Sequence, residues 1–324
     1  VSYEFITGNC LKVMAGMPAE SVDLVFFSPP YEDARTYGID YRLKGQEWVD
    51  WMVKVFAQCQ RVCTGLVACV CQGRTRQFSW SAVPALLIAD LSRAGFNLRN
   101  PPIFSRVGIP GSGGPDWLRS DYEWIVCTSR PGKLPWSDNT VMGHPPKWGS
   151  GGEMSYRQSD GTRRNAWGSN SCNERTQDGS GNGNASVKKL PKVRLGRGQP
   201  KGTPLGRRVS RGSCNGDTIT EDAYLPPKLA NPGNVIECLV GGGVMGDKAC
   251  HESEAPFPEK LAEFFIRSFA KPYGRVLDPT SGSGTTVAVA HRLGRQGIGI
   301  ELREAQNVIA MARCGRVTPE LLAV

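Results

Sequence analysis

The sequence predicts an α/β fold: a mostly parallel, twisted sheet with helices on both faces, broken by one long irregular segment. Three observations carry that prediction. Short β-rich apolar runs alternate with stretches of helical spacing, over roughly residues 1–130 and again from Asn231 onward. Two apolar runs end abruptly in proline-rich or small-residue segments, Ser28-Pro29-Pro30-Tyr31 and Asp278 to Thr286, as strands do where a chain turns above a sheet. Between Pro131 and Thr220 the hydrophobic period disappears, and Gly, Ser, Asn and Arg dominate.

The elements follow in order. Ser21 to Phe27 is a strand, stopped because two consecutive prolines cannot continue a central strand. Trp48, Trp51, Met52, Val55, Phe56 and Cys59 recur at helical spacing, so Trp48 to Val62 is a helix. Gly65 punctuates it, and Leu66 to Cys71 reads as a buried strand. Ala82 to Ala94 is a helix ended by Gly95, and Asp121 to Thr128 is a further strand. Beyond Asn231, Glu259 to Phe269 is a helix with Leu261, Phe264, Phe265 and Phe269 on one face. Arg275 to Leu277 is a strand, Val287 to Leu293 a helix, and Gly297 to Glu301 the next strand. Strands that alternate with helices in this way pair in parallel and are covered on both faces.

Composition narrows the function. The formal net charge is +9, with 39 Lys and Arg against 30 Asp and Glu. Pro131 to Thr220 alone holds 15 basic and 6 acidic residues, so this segment carries the whole excess. An acidic partner touching the segment is the expectation. The segment could be a disordered linker, but Trp136, Trp148, Tyr156 and Trp167 are too many large aromatics for one. Interleaved bases and aromatics suit phosphates and nucleobases. No apolar run reaches the roughly 18 residues of a membrane span. Val1 to Cys10 lacks the basic and apolar regions of a secretory leader, so a cytoplasmic protein is expected. The 11 cysteines form no CxxC pair and read as buried free thiols, and 3 histidines make a zinc site a poor expectation.

The segment from Val276 to Glu301 carries chemistry. A strand enters a glycine-rich turn and leaves as a helix, which aims backbone N–H groups into a hollow at the strand end. Glu301 ends the next strand, 17 residues beyond Gly284, where a carboxylate accepts both hydroxyls of a ribose. The ligand therefore contains a nucleoside. Gly282-x-Gly284 lacks the third glycine of a dinucleotide fingerprint, since Val287 stands there, and no P-loop follows. Asp278 suits an ammonium better than a pyrophosphate. S-adenosyl-L-methionine, a nucleoside bearing an amino acid, satisfies both ends.

Ser28-Pro29-Pro30-Tyr31 then resembles the motif of the amino-group-specific DNA methyltransferases, (D/N/S)-P-P-(Y/F/W) at the catalytic strand end. Its Ser-Pro-Pro-Tyr spelling is similar to the cytosine-N4 branch, whereas Asp or Asn in first place is commoner for adenine-N6. Gly8-Asn9-Cys10-Leu11, Asp121 to Ile125, and Ala255-Pro256-Phe257-Pro258-Glu259-Lys260-Leu261 resemble further family segments. The resemblance spans roughly residues 1–130 and 231–315, in the order catalytic motif, variable segment, cofactor loop. That order is the circularly permuted β arrangement. It implies a Rossmann-like, S-adenosylmethionine-dependent methyltransferase with a catalytic half (1–130), a target-recognition segment (131–230) and a cofactor-binding half (231–324).

The resemblance also implies site residues. Ser28, Pro29, Pro30 and Tyr31 would be catalytic. Asn9, Phe257, Lys260, Asp278, Pro279, Thr280, Ser281, Gly282, Ser283, Gly284, Thr285 and Glu301 would bind cofactor, with S-adenosyl-L-homocysteine as product and no metal. Family members often carry an acid where this chain has Asn9, whose amide oxygen can still accept from an adenine amine. Double-stranded DNA is the implied partner, with a cognate restriction endonuclease as companion, in a monomer or homodimer of a bacterial or phage-encoded protein. Phosphate contacts are expected from Arg163, Arg164, Lys188, Lys189, Arg194, Arg197, Arg207, Arg208 and Arg211. Adenine-N6 methylation is the alternative, and a nucleic-acid-binding module with a vestigial cofactor pocket is an alternative of another class.

Overall fold

The computed structural model describes residues 2–32, 42–108, 116–138, 140–145, 229–241, 245–247 and 257–320. Chain contacts divide the protein into one unit of Val1–His144 with Asn231–Val324 and another of Pro145–Ala230. The first unit is an open sheet. Its strands are β1 (Tyr3–Thr7), β2 (Val22–Phe27), β3 (Cys63–Cys71), β6 (Asn97–Leu98), β7 (Ile103–Val107), β8 (Tyr122–Ser129), β9 (Val235–Leu239), β10 (Arg275–Asp278) and β11 (Gln296–Glu301). β4 (Thr75–Arg76) and β5 (Ser79–Trp80) form a separate hairpin. The helices are α1 (Cys10–Gly16), α2 (Gly45–Val62), α3 (Val83–Arg93), α4 (Glu259–Phe269), α5 (Thr285–Arg292) and α6 (Glu304–Gly315).

Strand order is β1-β11-β10-β2-β3-β8-β7-β9, with β6 beside β8. The first five strands run parallel, and β8 pairs antiparallel with β3, Cys71 opposite Trp124. The expected strands and helices lie within a few residues of their sequence bounds. β1, α1, the β4–β5 hairpin, β6, β7, β9 and α6 are additions. β1 and β9 are edge strands, half-exposed or alternately exposed, so their sequences lack a continuous apolar run.

Both faces of the central strands are buried, and period-2 alternation sorts the side chains. In β2, Val25 and Phe27 join one core with Met52, Val55 and Phe56 of α2 and Leu87 of α3. Leu24 and Phe26 join the other with Leu261, Phe265 and Ile266 of α4. Phe265 stacks on Phe26 with centroids 4.7 Å apart. Burying one such ring contributes about 1.5–3 kcal/mol. A link across 252 residues closes the β2–β10 seam: the Arg275 amide donates to Asp23 Oδ2 at 2.8 Å. The seam separates connections that run in opposite directions, β10 to β11 on one side and β2 to β3 on the other. It is therefore a topological switch point, where open α/β sheets bind ligands beyond the carboxyl ends of the strands. Ser28, Cys71, Asp278 and Glu301 all lie at that end.

The eight described cysteines are free and buried. Among the described residues no helix is long and apolar enough to cross a membrane, and no cluster of His, Cys, Asp or Glu is arranged to hold a metal ion.

Candidate active site

Two segments meet at the seam. The Thr280 hydroxyl of the glycine-rich loop donates to the Ser28 carbonyl at 3.1 Å, and the Thr286 hydroxyl donates to the Phe26 carbonyl at 3.2 Å. The Ser-Pro-Pro-Tyr turn and the loop that begins at Asp278 are therefore neighbours at the carboxyl end of the sheet.

The turn is held from below. Pro29 is buried, and the Pro30 carbonyl accepts from the indole N–H of Trp48 at 2.9 Å. Among the described residues the Pro29 carbonyl accepts no hydrogen bond, so it keeps its lone pairs for a ligand. The Ser28 hydroxyl donates to the Tyr31 hydroxyl at 3.4 Å, which in turn donates to Glu123 Oε2 at 2.6 Å. Arg106 of β7 stands 3.3 Å from Glu123 Oε1. Burial pushes the Glu123 carboxyl above its ordinary range, although Tyr31 and Arg106 pull the other way. Burial, then the charge of Glu123, holds the Tyr31 phenol well above its ordinary range.

The loop stands beside the turn. Asp278 is 2% exposed, and its Oδ1 accepts the Thr280 amide at 3.0 Å. Burial lifts its carboxyl to about 7, against the Thr280 amide and Thr286 hydroxyl and with a further push from Glu301. Glu301 Oε2 accepts the Gly282 amide at 3.0 Å, and its Oε1 accepts the Arg303 amide at 3.0 Å. Arg303 Nε also donates to Oε1 at 3.3 Å, so of a carboxylate's roughly four acceptor sites it is Oε2 that keeps one open. Gly284 caps α5 at φ 77°, and a Cβ there would stand 2.7 Å from the Ala310 Cβ. Only glycine meets both constraints. Thr280 and Gly282 are half-exposed, while Pro279, Ser281, Ser283 and Thr285 are buried.

Ser283 and Thr285 face inward, onto Arg313 of α6. This wholly buried guanidinium donates to the Ser283 carbonyl at 3.3 Å and the Thr285 hydroxyl at 2.9 Å, and pairs with Glu259 at 2.6 Å. It is the loop's internal support. Asn9 is adjacent, since the Gly8 amide donates to the Glu301 carbonyl at 2.9 Å. Its Oδ1 caps α1, accepting from the amides of Leu11 and Lys12. Phe257 packs edge-on against Phe26 in the core. Lys260 is exposed on α4, in electrostatic reach of the Cys238 thiol of β9. Among the described residues no hydrogen bond or ion pair joins it to Asp278 or Glu301. Arg163, Arg164, Lys188, Lys189, Arg194, Arg197, Arg207, Arg208 and Arg211 lie outside the described residues.

Sequence reasoning missed Trp48, Arg106, Glu123 and Arg313 as parts of this site. Glu123 had a signal, an acid inside the apolar run of β8. Arg313 had none, because the helix that carries it was not expected.

Asp278 and Glu301 are the carboxylates here that could hold a cationic group and a ribose. The carboxylates of Asp278 and Glu301 stand at the two ends of the loop, and the buried Ser281 Oγ makes no hydrogen bond among the described residues. A sequence model of the DNA methylase family, the N6/N4 methyltransferases, matches residues 22–311. This chain belongs to that family. Type II methyltransferase M.PvuII of Proteus hauseri is 27% identical over 315 residues, spanning 91% of this chain and 79% of that one. The solved PvuII DNA methyltransferase, cytosine-N4-specific, superposes with a TM-score of 0.59 at 17% identity, covering 97% of this chain and 86% of that chain. TTHA0409 from Thermus thermophilus, complexed with S-adenosyl-L-methionine, superposes with a TM-score of 0.52 at 20% identity, covering 98% of this chain and 95% of that chain. The sheet is thus that of a DNA methylase, and the expected fold class stands.

Proposed function

We propose that this DNA methylase transfers the methyl group of S-adenosyl-L-methionine to the N4 amino group of cytosine in double-stranded DNA. The observation that supports this is the Thr280–Ser28 hydrogen bond, which joins the Ser-Pro-Pro-Tyr turn to the glycine-rich loop. Glu301 would hold the ribose and Asp278 the ammonium, with Thr280, Ser281 and Gly282 lining the space between. When bound, the cofactor supplies an electrophilic methyl on a sulfonium. Serine in first place of the turn, and the likeness to M.PvuII, support cytosine N4 over adenine N6.

The chain's own residues prepare the nucleophile. An exocyclic amine is poorly nucleophilic because its lone pair is conjugated into the ring. Ser28 Oγ and the Pro29 carbonyl accept its two N–H groups and draw the nitrogen toward tetrahedral geometry, which frees the lone pair. The prolines hold that carbonyl rigid and offer no competing N–H. Tyr31 provides a ring face for a base extruded from the duplex. The amine's surplus proton leaves through Ser28 Oγ and the Tyr31 hydroxyl to Glu123, since each hydroxyl already donates in that direction. A buried carboxylate with a raised proton affinity is a fitting acceptor. Proximity and preorganised dipoles supply the main acceleration.

Residues 131–230 would read the target, with their basic side chains on phosphate. Methylation of genomic DNA, followed by nucleoside mass spectrometry and mapping of the modified bases, tests the reading. N4-methylcytosine is expected, and N6-methyladenine alone overturns it.

A further inference from the structure

One exposed element at the active-site end is unused by the chemistry above. β3 ends at Cys71, and β4 and β5 then form a tight hairpin, Thr75 opposite Trp80 and Arg76 opposite Ser79. Every residue from Arg74 to Trp80 is exposed. Phe78 at the tip is 79% exposed and Trp80 is 44% exposed. The base is firmly built. A Cβ on the buried Gly73 would lie 1.8 Å from the Ser81 carbonyl and 2.9 Å from Trp80 Nε1, so the two arms close on a glycine. The Ser81 amide donates to the Arg74 carbonyl at 2.9 Å, and Gln72 Nε2 donates to the Tyr122 carbonyl at 2.6 Å. Tyr122 begins β8, one residue before Glu123. The hairpin thus stands on the same rim as Ser28 and Tyr31.

Its tip is chemically unusual. Gln77 and Phe78 have φ of 47° and 62°, a two-residue turn that favours Asn-Gly. A bulky residue in the left-handed region is strained, and such strain gathers at functional positions. In the free protein this ring contributes nothing to the core. Arg74 and Arg76 flank it with positive charge. From Arg74 to the tip the arm rises roughly 10 Å at about 3.3 Å per residue. That exceeds the depth of about 8.5 Å of a B-DNA major groove.

Resting on the reading of this chain as a base-flipping DNA methylase, we infer that the Arg74–Trp80 hairpin is a DNA-probing finger. Phe78 enters the base stack beside the target and fills the space that the extruded base leaves, while Arg74 and Arg76 hold the flanking phosphates. Apolar wedges of this kind unstack base steps, and arginine pairs hold phosphates without reading sequence. The partner is double-stranded DNA, because only a duplex opposes extrusion of the base.

The test compares the full chain with Phe78→Ala and Phe78→Trp on two duplexes. One carries the mapped methylation site, and the other carries the same site with the target base mismatched. Wild type must methylate the paired duplex, and if it does not, the methylase reading itself fails. With that control met, Phe78→Ala should lose about 10- to 100-fold in kcat/KM on the paired duplex, the range of one lost base–aromatic stack. On the mismatched duplex, where extrusion is already easy, the loss should shrink below about threefold. Phe78→Trp should retain most activity. Arg74→Ala with Arg76→Ala should flatten the salt dependence of DNA affinity by about two logarithmic units per decade. Equal losses on both duplexes, no loss on either, or activity that tracks a change in oligomeric state would each overturn the inference.

Discussion

Replacing Asp278 with Asn should make this protein more stable and less able to bind its cofactor. Burial lifts the Asp278 carboxyl to about 7 from an ordinary 3.8. The difference is about 3 pK units, and at about 1.36 kcal/mol each it corresponds to roughly 4 kcal/mol. The folded state holds this proton more tightly than the unfolded chain. Its stabilising effect is complete below pH 4, fades as pH rises, and is lost above about 7. Asn is neutral throughout, and its Oδ1 can still accept the Thr280 amide that Asp278 accepts at 3.0 Å. Urea unfolding of both proteins between pH 4 and 8.5 isolates the effect, since every other group titrates alike in the two. The stability difference should grow from near zero at pH 4 to roughly 4 kcal/mol in favour of Asn above pH 7. A difference that stays flat from pH 5 to 8, or a less stable Asn variant at pH 8, would refute the reasoning. Cofactor binding should show the opposite preference. An ammonium favours the ionised carboxylate, so wild type should release protons on binding below pH 7, measurable by calorimetry in buffers of different ionisation enthalpy. A site kept unstable for the sake of its ligand is a familiar exchange of stability for function.

Other perturbations follow from the same geometry. Ser28→Ala should lower kcat about 100-fold, the scale of one preorganised hydrogen-bonding group, with cofactor affinity unchanged by calorimetry. Glu301→Ala should weaken cofactor binding by about 1.5–3 kcal/mol, and an unchanged Kd would remove Glu301 from the site. Glu123→Gln should lower kcat and erase one limb of its pH profile at saturating cofactor: wild type should speed up as pH rises through the elevated Glu123 value, whereas the variant should stay level there. Arg313→Met should cost about 3 kcal/mol, less than a fully orphaned charge, because Glu259 keeps Arg292 at 2.7 Å and the Asp247 amide at 3.1 Å. Melting should fall by roughly 6–12 °C, and a fall under about 2 °C would deny Arg313 its supporting role.

How far the sequence can be read depends on the range of the physics. The near-continuous apolar run of Val22 to Phe27 and the helical spacing in Trp48 to Val62 are local signals of burial on two faces and on one, and they located β2 and α2. The two prolines after Ser28 and the glycines at 282 and 284 are backbone constraints, legible wherever they occur. β1 and β9 are edge strands of five residues each, half-exposed or alternating, with too little apolar content to stand out. The 75–80 hairpin carries Gln-Phe where Asn-Gly would mark a turn, so its turn chemistry was unreadable. α6 was missed with its buried arginine, because nothing local says that a guanidinium will sit inside the fold.

By itself the sequence determined the α/β class, the Ser-Pro-Pro-Tyr turn and the glycine-rich loop after Asp278, because each is a matter of neighbouring residues and their backbone freedom. Tertiary structure alone decided that Thr280 meets the Ser28 carbonyl, that Tyr31 leans on Glu123, and that Arg313 holds the loop from within. These contacts join residues 28, 92 and 252 positions apart, and the longest joins elements on opposite sides of the irregular segment. Their geometry follows from sheet order and register, which no local pattern encodes.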